Sequence, residues 1–183
     1  ELQVQRGRTS GTVGKTGYCL SSESEWLQDS GQGLRILSIS ERAKFLRSLN
    51  LSHLDLLQVS LVIYIFQGNL ELEALYLNFC KNLSSETIAS FLCNEKLKKL
   101  RHVEIEATSF THYGLEKVIK FNNFARLEAI NIGLCHKIND AYFITFLKNK
   151  VCTNVKTLSI NSTILTDNIL EVMASPECRM ESL

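Results

Sequence analysis

LEALYLNFC at residues 72–80 and LEAINIGLC at residues 127–135 are nearly the same nine letters, written fifty-five residues apart. A match of that quality within one chain is the mark of an internal repeat. Placing both in one frame exposes three more copies of L-x-x-L-x-L, at Leu46–Leu51, Leu100–Ile105 and Val155–Ile160. The copies start at residues 46, 72, 100, 127 and 155, spacings of 26, 28, 27 and 28, and Met180-Glu-Ser-Leu183 opens a sixth 25 residues further on. Positions are counted below from the first residue of each copy, so that Leu75 stands at +3 and Cys80 at +8.

A period of 26 to 28 lies inside the leucine-rich-repeat range. Within L-x-L, alternate side chains of a short strand point inward, following the strand period of two. The chain between copies then returns as a helix. Candidate helices are residues 84–97, 111–121, 140–149 and 166–175, each opening at or just after a Ser, Thr, Asn or Asp suited to a helix start. Their apolar residues recur at three and four: Ile88, Phe91, Leu92; Leu115, Val118, Ile119; Phe143, Phe146, Leu147; Ile169, Val172, Met173. After Cys80 and Cys135 the next apolar residues follow at three and eight, but after Thr108 and Thr163 at two and seven. One residue is therefore dropped at the turn, and the strand register is preserved. The expected fold class is α/β, a leucine-rich-repeat solenoid with a curved parallel sheet inside and helices outside, over residues 34–183. Residues 34–45 are expected to form an N-terminal cap, with Leu34–Ile39 as a degenerate cap strand.

L-x-x-L-x-L-x-x-C, followed by an aliphatic, Thr/Ser/Asn-Asp and another aliphatic, resembles the cysteine-containing leucine-rich repeat of F-box/leucine-rich-repeat proteins. Leu72–Ile88, Leu127–Phe143 and, with Thr for Cys, Val155–Leu170 carry the resemblance. It implies a protein–protein interaction module with no catalysis of its own, in the finer form the substrate receptor of a ubiquitin-ligase-type protein. Residues 1–45 show no recognisable F-box helices, so the alternative is a structural or assembly subunit of a larger complex.

Charge and composition narrow the field. Twenty basic and nineteen acidic side chains among 183 residues leave a net charge of +1, which gives no support to nucleic acid or an anionic membrane as partner. The longest apolar run, residues 54–66, is broken by Asp55 and Gln58 and is shorter than the ~20 residues of a membrane span. Six of nine glycines fall within residues 1–33, which read as a flexible Gly/Ser-rich arm. TSGTVGKT at residues 9–16 approximates a phosphate-binding loop around Lys15, but Thr9 replaces the first glycine and neither strand nor helix flanks it. Six cysteines include no C-x-x-C pair, so no metal or cofactor is expected. Cys80 and Cys135 lie two repeats apart, ~10 Å at sheet spacing and too far for a disulfide. Reduced, buried thiols favour a cytoplasmic or nuclear compartment.

The remaining places for function are the outward columns. At +4 stand Asn50, Tyr76, Glu104, Asn131 and Ser159; at +6 stand Ser52, Asn78, Glu106, Gly133 and Asn161; His102 is the one titratable residue of the +2 column. Phe79 and Leu134, at +7, leave the strand with apolar side chains. The expected partner-binding set is Tyr76, Asn78, Phe79, His102, Glu104, Glu106, Asn131 and Leu134. A mixed aromatic and acidic surface of this kind suits a protein segment bearing a basic group. His102, Glu104 and Glu106 lack an accompanying nucleophile, so catalysis, or a small-molecule substrate, is not expected of them. The repeat frame stops inside a strand at Leu183, which leads to the expectation of further chain, or a partner, over that edge.

Overall fold

A computed structural model describes residues 19–20, 44–54, 59–68, 71–121, 126–161, 163–178 and 180. Six parallel strands, each hydrogen-bonded to the next in chain order, form one open sheet. They are β1 (Cys19–Leu20), β2 (Ser48–Asn50), β3 (Ala74–Tyr76), β4 (His102–Glu104), β5 (Ala129–Asn131) and β6 (Thr157–Ser159). Helices α1 (Val59–Gly68), α2 (Ser85–Leu92), α3 (His112–Phe121), α4 (Asp140–Leu147) and α5 (Asn168–Met173) follow β2 to β6 in turn, and a 3-10 turn at Lys150–Cys152 leads into β6. The expected α/β solenoid is the observed one. Strand register follows the repeat frame: Leu49, Leu75, Val103, Ile130 and Leu158, all at +3, lie side by side.

The core is the sum of the inward positions. At +0, +3 and +5 the first four copies are at most 5% exposed. Each such side chain contributes roughly 1.5–3 kcal/mol by leaving water. Phe66, Phe91, Phe143 and Phe146 come from the helices to meet them, Phe66 lying edge-on to Phe91 at 5.3 Å. In the last copy Leu158, Ile160, Val172 and Met173 are only half-buried, because no described repeat lies beyond them.

The backbone ladder runs well past the three-residue strands. The carbonyl at +1 accepts two N–H groups of the next copy, as Arg101 does from Glu128 (2.8 Å) and Ala129 (2.9 Å). At the far end the residue at +7 takes a left-handed conformation in four successive copies: His53, Phe79, Ala107 and Leu134, with φ of 53 to 64°. None is glycine, so each carries a steric cost. What offsets it is one more rung, since each +7 N–H donates to the +6 carbonyl of the next copy at 2.8–2.9 Å.

Neighbouring repeats are stitched by two devices in alternation. Across the first and third junctions a buried thiol reaches back: Cys80 Sγ donates to the Leu51 carbonyl (3.0 Å) and Cys135 Sγ to that of Ile105 (3.3 Å). Across the second and fourth, the first residue of one helix receives the turn into the next. Ser85 Oγ accepts the Thr111 N–H (3.1 Å), and Asp140 accepts the Thr166 N–H (3.0 Å) together with its hydroxyl. Thr108 and Thr163, at the cysteine position of their own copies, donate to carbonyls within those copies. The fifty-five-residue period is thus a structural unit of two repeats, one ending its strand in Cys and the next in Thr.

Two expectations differ from what is observed. A two-residue strand at Cys19–Leu20, inside the segment read as an arm, pairs with β2. The cap at residues 34–43, the remainder of the arm and the loop around Lys15 lie outside the described residues. Helix α1 was absent from the candidate helices because VSLVIYIFQG is apolar almost throughout and hides its period. In the structure Val62, Ile65 and Phe66 are buried while Ile63 and Tyr64 face out.

Candidate functional site

The expected partner-binding residues come together on β3, β4, β5 and the turns that leave them. Tyr76, Glu104 and Asn131 occupy one row, each in register with the next. One row along, His102 lies between Ala74 and Ala129. Methyl neighbours leave the imidazole standing exposed from the sheet.

Asn78 organises the acidic centre. Its Oδ1 accepts the Glu106 N–H (2.9 Å), its Nδ2 donates to Glu104 Oε2 (2.7 Å), and its own N–H donates to Ser52 Oγ (3.1 Å). Two repeats on, Asn131 Nδ2 donates back to Glu106 Oε2 (3.0 Å) while its Oδ1 accepts the Gly133 N–H (2.9 Å). Glu104 and Glu106 are therefore half-buried carboxylates held by amide donors, each through one oxygen. Neither has a cationic partner among the described residues. Amide donors hold a carboxylate in place and bring no charge of their own.

Phe79 and Leu134 lie half-buried at the left-handed turns. Phe79 stacks on His53 of the preceding copy, ring centroids 4.6 Å apart and planes 10° from parallel. His53 was not among the expected residues, although it shares the +7 column with Phe79 and repeat arithmetic places the two side by side. A second aromatic group lies by the helix starts: His112 stacks on Tyr142 at 4.5 Å, with Tyr113 69% exposed beside it.

The thiols are no part of this surface. Cys80, Cys93, Cys135 and Cys152 are buried, and Cys178 is half-buried. Burial pushes the thiols of Cys93, Cys135 and Cys152 up, away from the reactive thiolate. Among the described residues no cluster of His, Cys, Asp and Glu is arranged to hold a metal ion, and no helix is long and apolar enough to cross a membrane.

Comparison with solved structures places the architecture. A tropomodulin C-terminal domain from Caenorhabditis elegans superposes with a TM-score of 0.54 at 10% identity, over 70% of this chain and 82% of that one. A chain of the yeast Rad7 and Elc1 complex gives 0.57 at 19% identity, over 84% of this chain and 46% of its own length. The leiomodin-1 actin-binding site 2 gives 0.50 at 12% identity, over 71% and 78%. The shared feature is the leucine-rich-repeat arc. No family model matches the sequence, and no curated protein matches it either.

Proposed function

We propose that this chain is a protein-recognition module that catalyses no reaction of its own. In this reading it binds a basic segment of its partner on the outward face of β3 to β5. The carrying observation is the pair Glu104 and Glu106, each held through one oxygen by Asn78 or Asn131 and each without a cationic partner among the described residues. A partner Lys or Arg would complete them, with Tyr76, Phe79, His102 and Leu134 supplying contact area around the charge. Such a fold in a protein complex and in an actin-binding site, as the structures compared above are described, supports protein binding as its use.

The finer form is a substrate receptor of the F-box/leucine-rich-repeat type, acting in a cytoplasmic or nuclear compartment. A structural or assembly subunit is the second reading, supported by the same fold in a chain of the yeast Rad7 and Elc1 complex. Affinity capture from native extract with mass identification separates them, repeated with Glu104→Lys and Tyr76→Ala. An F-box adaptor and cullin, with further partners lost in both variants, is the expected result. One stoichiometric assembly indifferent to both substitutions would replace the first reading with the second.

A further inference from the structure

The leading rim of the sheet, where the strands begin, carries charge in two columns. One residue before each copy stand Glu71, Lys99, Arg126 and Asn154; one residue after its first position stand Arg47, Glu73, Arg101, Glu128 and Lys156. In the earlier copies the charges cancel in pairs: Arg47 Nη1 lies 3.1 Å from Glu73, and Lys99 Nζ 2.7 Å from Glu71. Further along they do not. Glu128 is shared, with Arg101 Nη1 at 2.7 Å on one oxygen and Lys156 Nζ at 3.6 Å on the other. Arg126 is exposed and has no carboxylate partner among the described residues. These four side chains and Asn154 line a shallow depression of about 180 Å³. Three cations against one carboxylate leave it with two positive charges.

The floor is fixed by the backbone rungs, since the carbonyls of Arg101 and Glu128 each accept two N–H groups from the next copy. Glu128 takes one hydrogen bond from Arg101 and pairs with the Lys156 ammonium at 3.6 Å without one, which leaves both cations donors to spare. Guanidinium forks match the oxygens of a phosphate or carboxylate. A phosphate monoester carries about −1.5 to −2 charges near neutral pH, which balances the site; a single carboxylate leaves it positive. The depression is open to solvent and has room for one tetrahedral anion with some of its hydration. No aromatic side chain among the described residues lines it to stack a base, and the chain is close to neutral, so a nucleic-acid strand fits it poorly.

We propose that this rim is a second binding site, taking a phosphorylated serine or threonine side chain of a partner protein. It stands apart from the acidic face of β3 to β5 and does not depend on the reading of that face. The test is an amide NMR titration of the full chain at low salt, first with inorganic phosphate and then with a short phosphoserine peptide and its unphosphorylated twin. Shifts at Arg101, Arg126, Asn154 and Lys156 are expected from phosphate and the phosphopeptide only. Arg126→Ala and Lys156→Ala should each weaken binding roughly three- to fivefold, as befits one exposed charge contact. Arg47→Ala, an arginine of the same column already matched by Glu73, should leave binding unchanged. No shifts at these residues, shifts that persist in the Arg126→Ala/Lys156→Ala double variant, or equal binding of the unphosphorylated peptide would overturn the assignment. A single-stranded oligonucleotide occupying the same residues more tightly than the phosphopeptide would overturn it too, and make the partner a nucleic acid.

Discussion

Asn78→Ala removes the side-chain amide that joins two neighbouring repeats at the acidic centre. Two side-chain hydrogen bonds are lost, one to the Glu106 N–H and one to the Glu104 carboxylate, at 2.9 and 2.7 Å. A neutral bond of the first kind contributes about 0.5–1.5 kcal/mol and one to a charged group about 1.5–3. Both glutamates are half-exposed, so water takes over part of the loss, and about 2 kcal/mol of destabilisation is the reasoned sum. For a domain of this size that lowers the melting temperature by about 4–8 °C. Urea and thermal unfolding followed by circular dichroism measure both quantities. Asn78→Asp sharpens the test, because it keeps an acceptor for the Glu106 N–H and sets a second carboxylate against Glu104. Two adjacent carboxylates favour the protonated form in the folded state, so the folded pKa rises above the unfolded one. The deficit of Asn78→Asp should therefore be full near neutral pH and shrink as pH falls towards the ordinary carboxylate range. An Asn78→Ala protein within about 0.5 kcal/mol of wild type, or an Asn78→Asp deficit indifferent to pH, would refute the role given to this amide.

Three further outcomes are expected. Gly114→Ala should destabilise by about 1–2 kcal/mol in chemical denaturation despite alanine's better helix propensity, because its Cβ would fall 2.4 Å from the buried Phe110 ring and 2.7 Å from Ser85 Oγ. Thiol labelling of the native protein at neutral pH, mapped by peptide mass, should modify Cys178 well before Cys80, Cys93, Cys135 or Cys152, and a denaturant should abolish the difference. Hydrogen bonds from Thr166, with one from the Asn168 amide, hold the Asp140 carboxyl below its usual range. Its contribution is present above the unfolded value and lost as pH falls through the folded one, so the protection factors of the amides of residues 163–173 should drop only in acid below the usual carboxylate range, and Asp140→Asn should remove that dependence.

The inward frame was legible because Leu, Ile and Val at +0, +3 and +5 recur at one spacing, and register needs no more than that. The outward columns followed from the same arithmetic, which is why Tyr76, Glu104 and Asn131 were expected in one row and are found there. What joins them was hidden. That Asn78 reaches Glu104 on the next strand as well as the Glu106 backbone depends on a diagonal across the ladder, and spacing alone does not show which way an amide turns. The left-handed turns at His53, Phe79, Ala107 and Leu134 were illegible for a different reason: glycine marks that conformation in a sequence, and the extra backbone rung lets other residues adopt it. Strand β1 escaped notice because Cys19–Leu20 sits in no L-x-x-L frame. The rim charges were in plain sight at odd positions, but exposed Arg, Lys and Glu give no periodic apolar signal to single them out.

Alternation of the stitches makes the molecule a string of cassettes, each fifty-five residues long and containing one junction of each kind. Duplicating residues 72–126 between 126 and 127 would bring a Cys135-type thiol opposite a waiting carbonyl and a Ser85-type cap opposite a waiting threonine, so the arc should lengthen without a mismatched seam. Excising a single repeat, such as residues 100–126, would instead set two cysteine-type repeats side by side, with Asn139 left where Thr111 or Thr166 belongs. For an engineer the usable module of this fold is the pair, and its length is already written in the distance between Cys80 and Cys135.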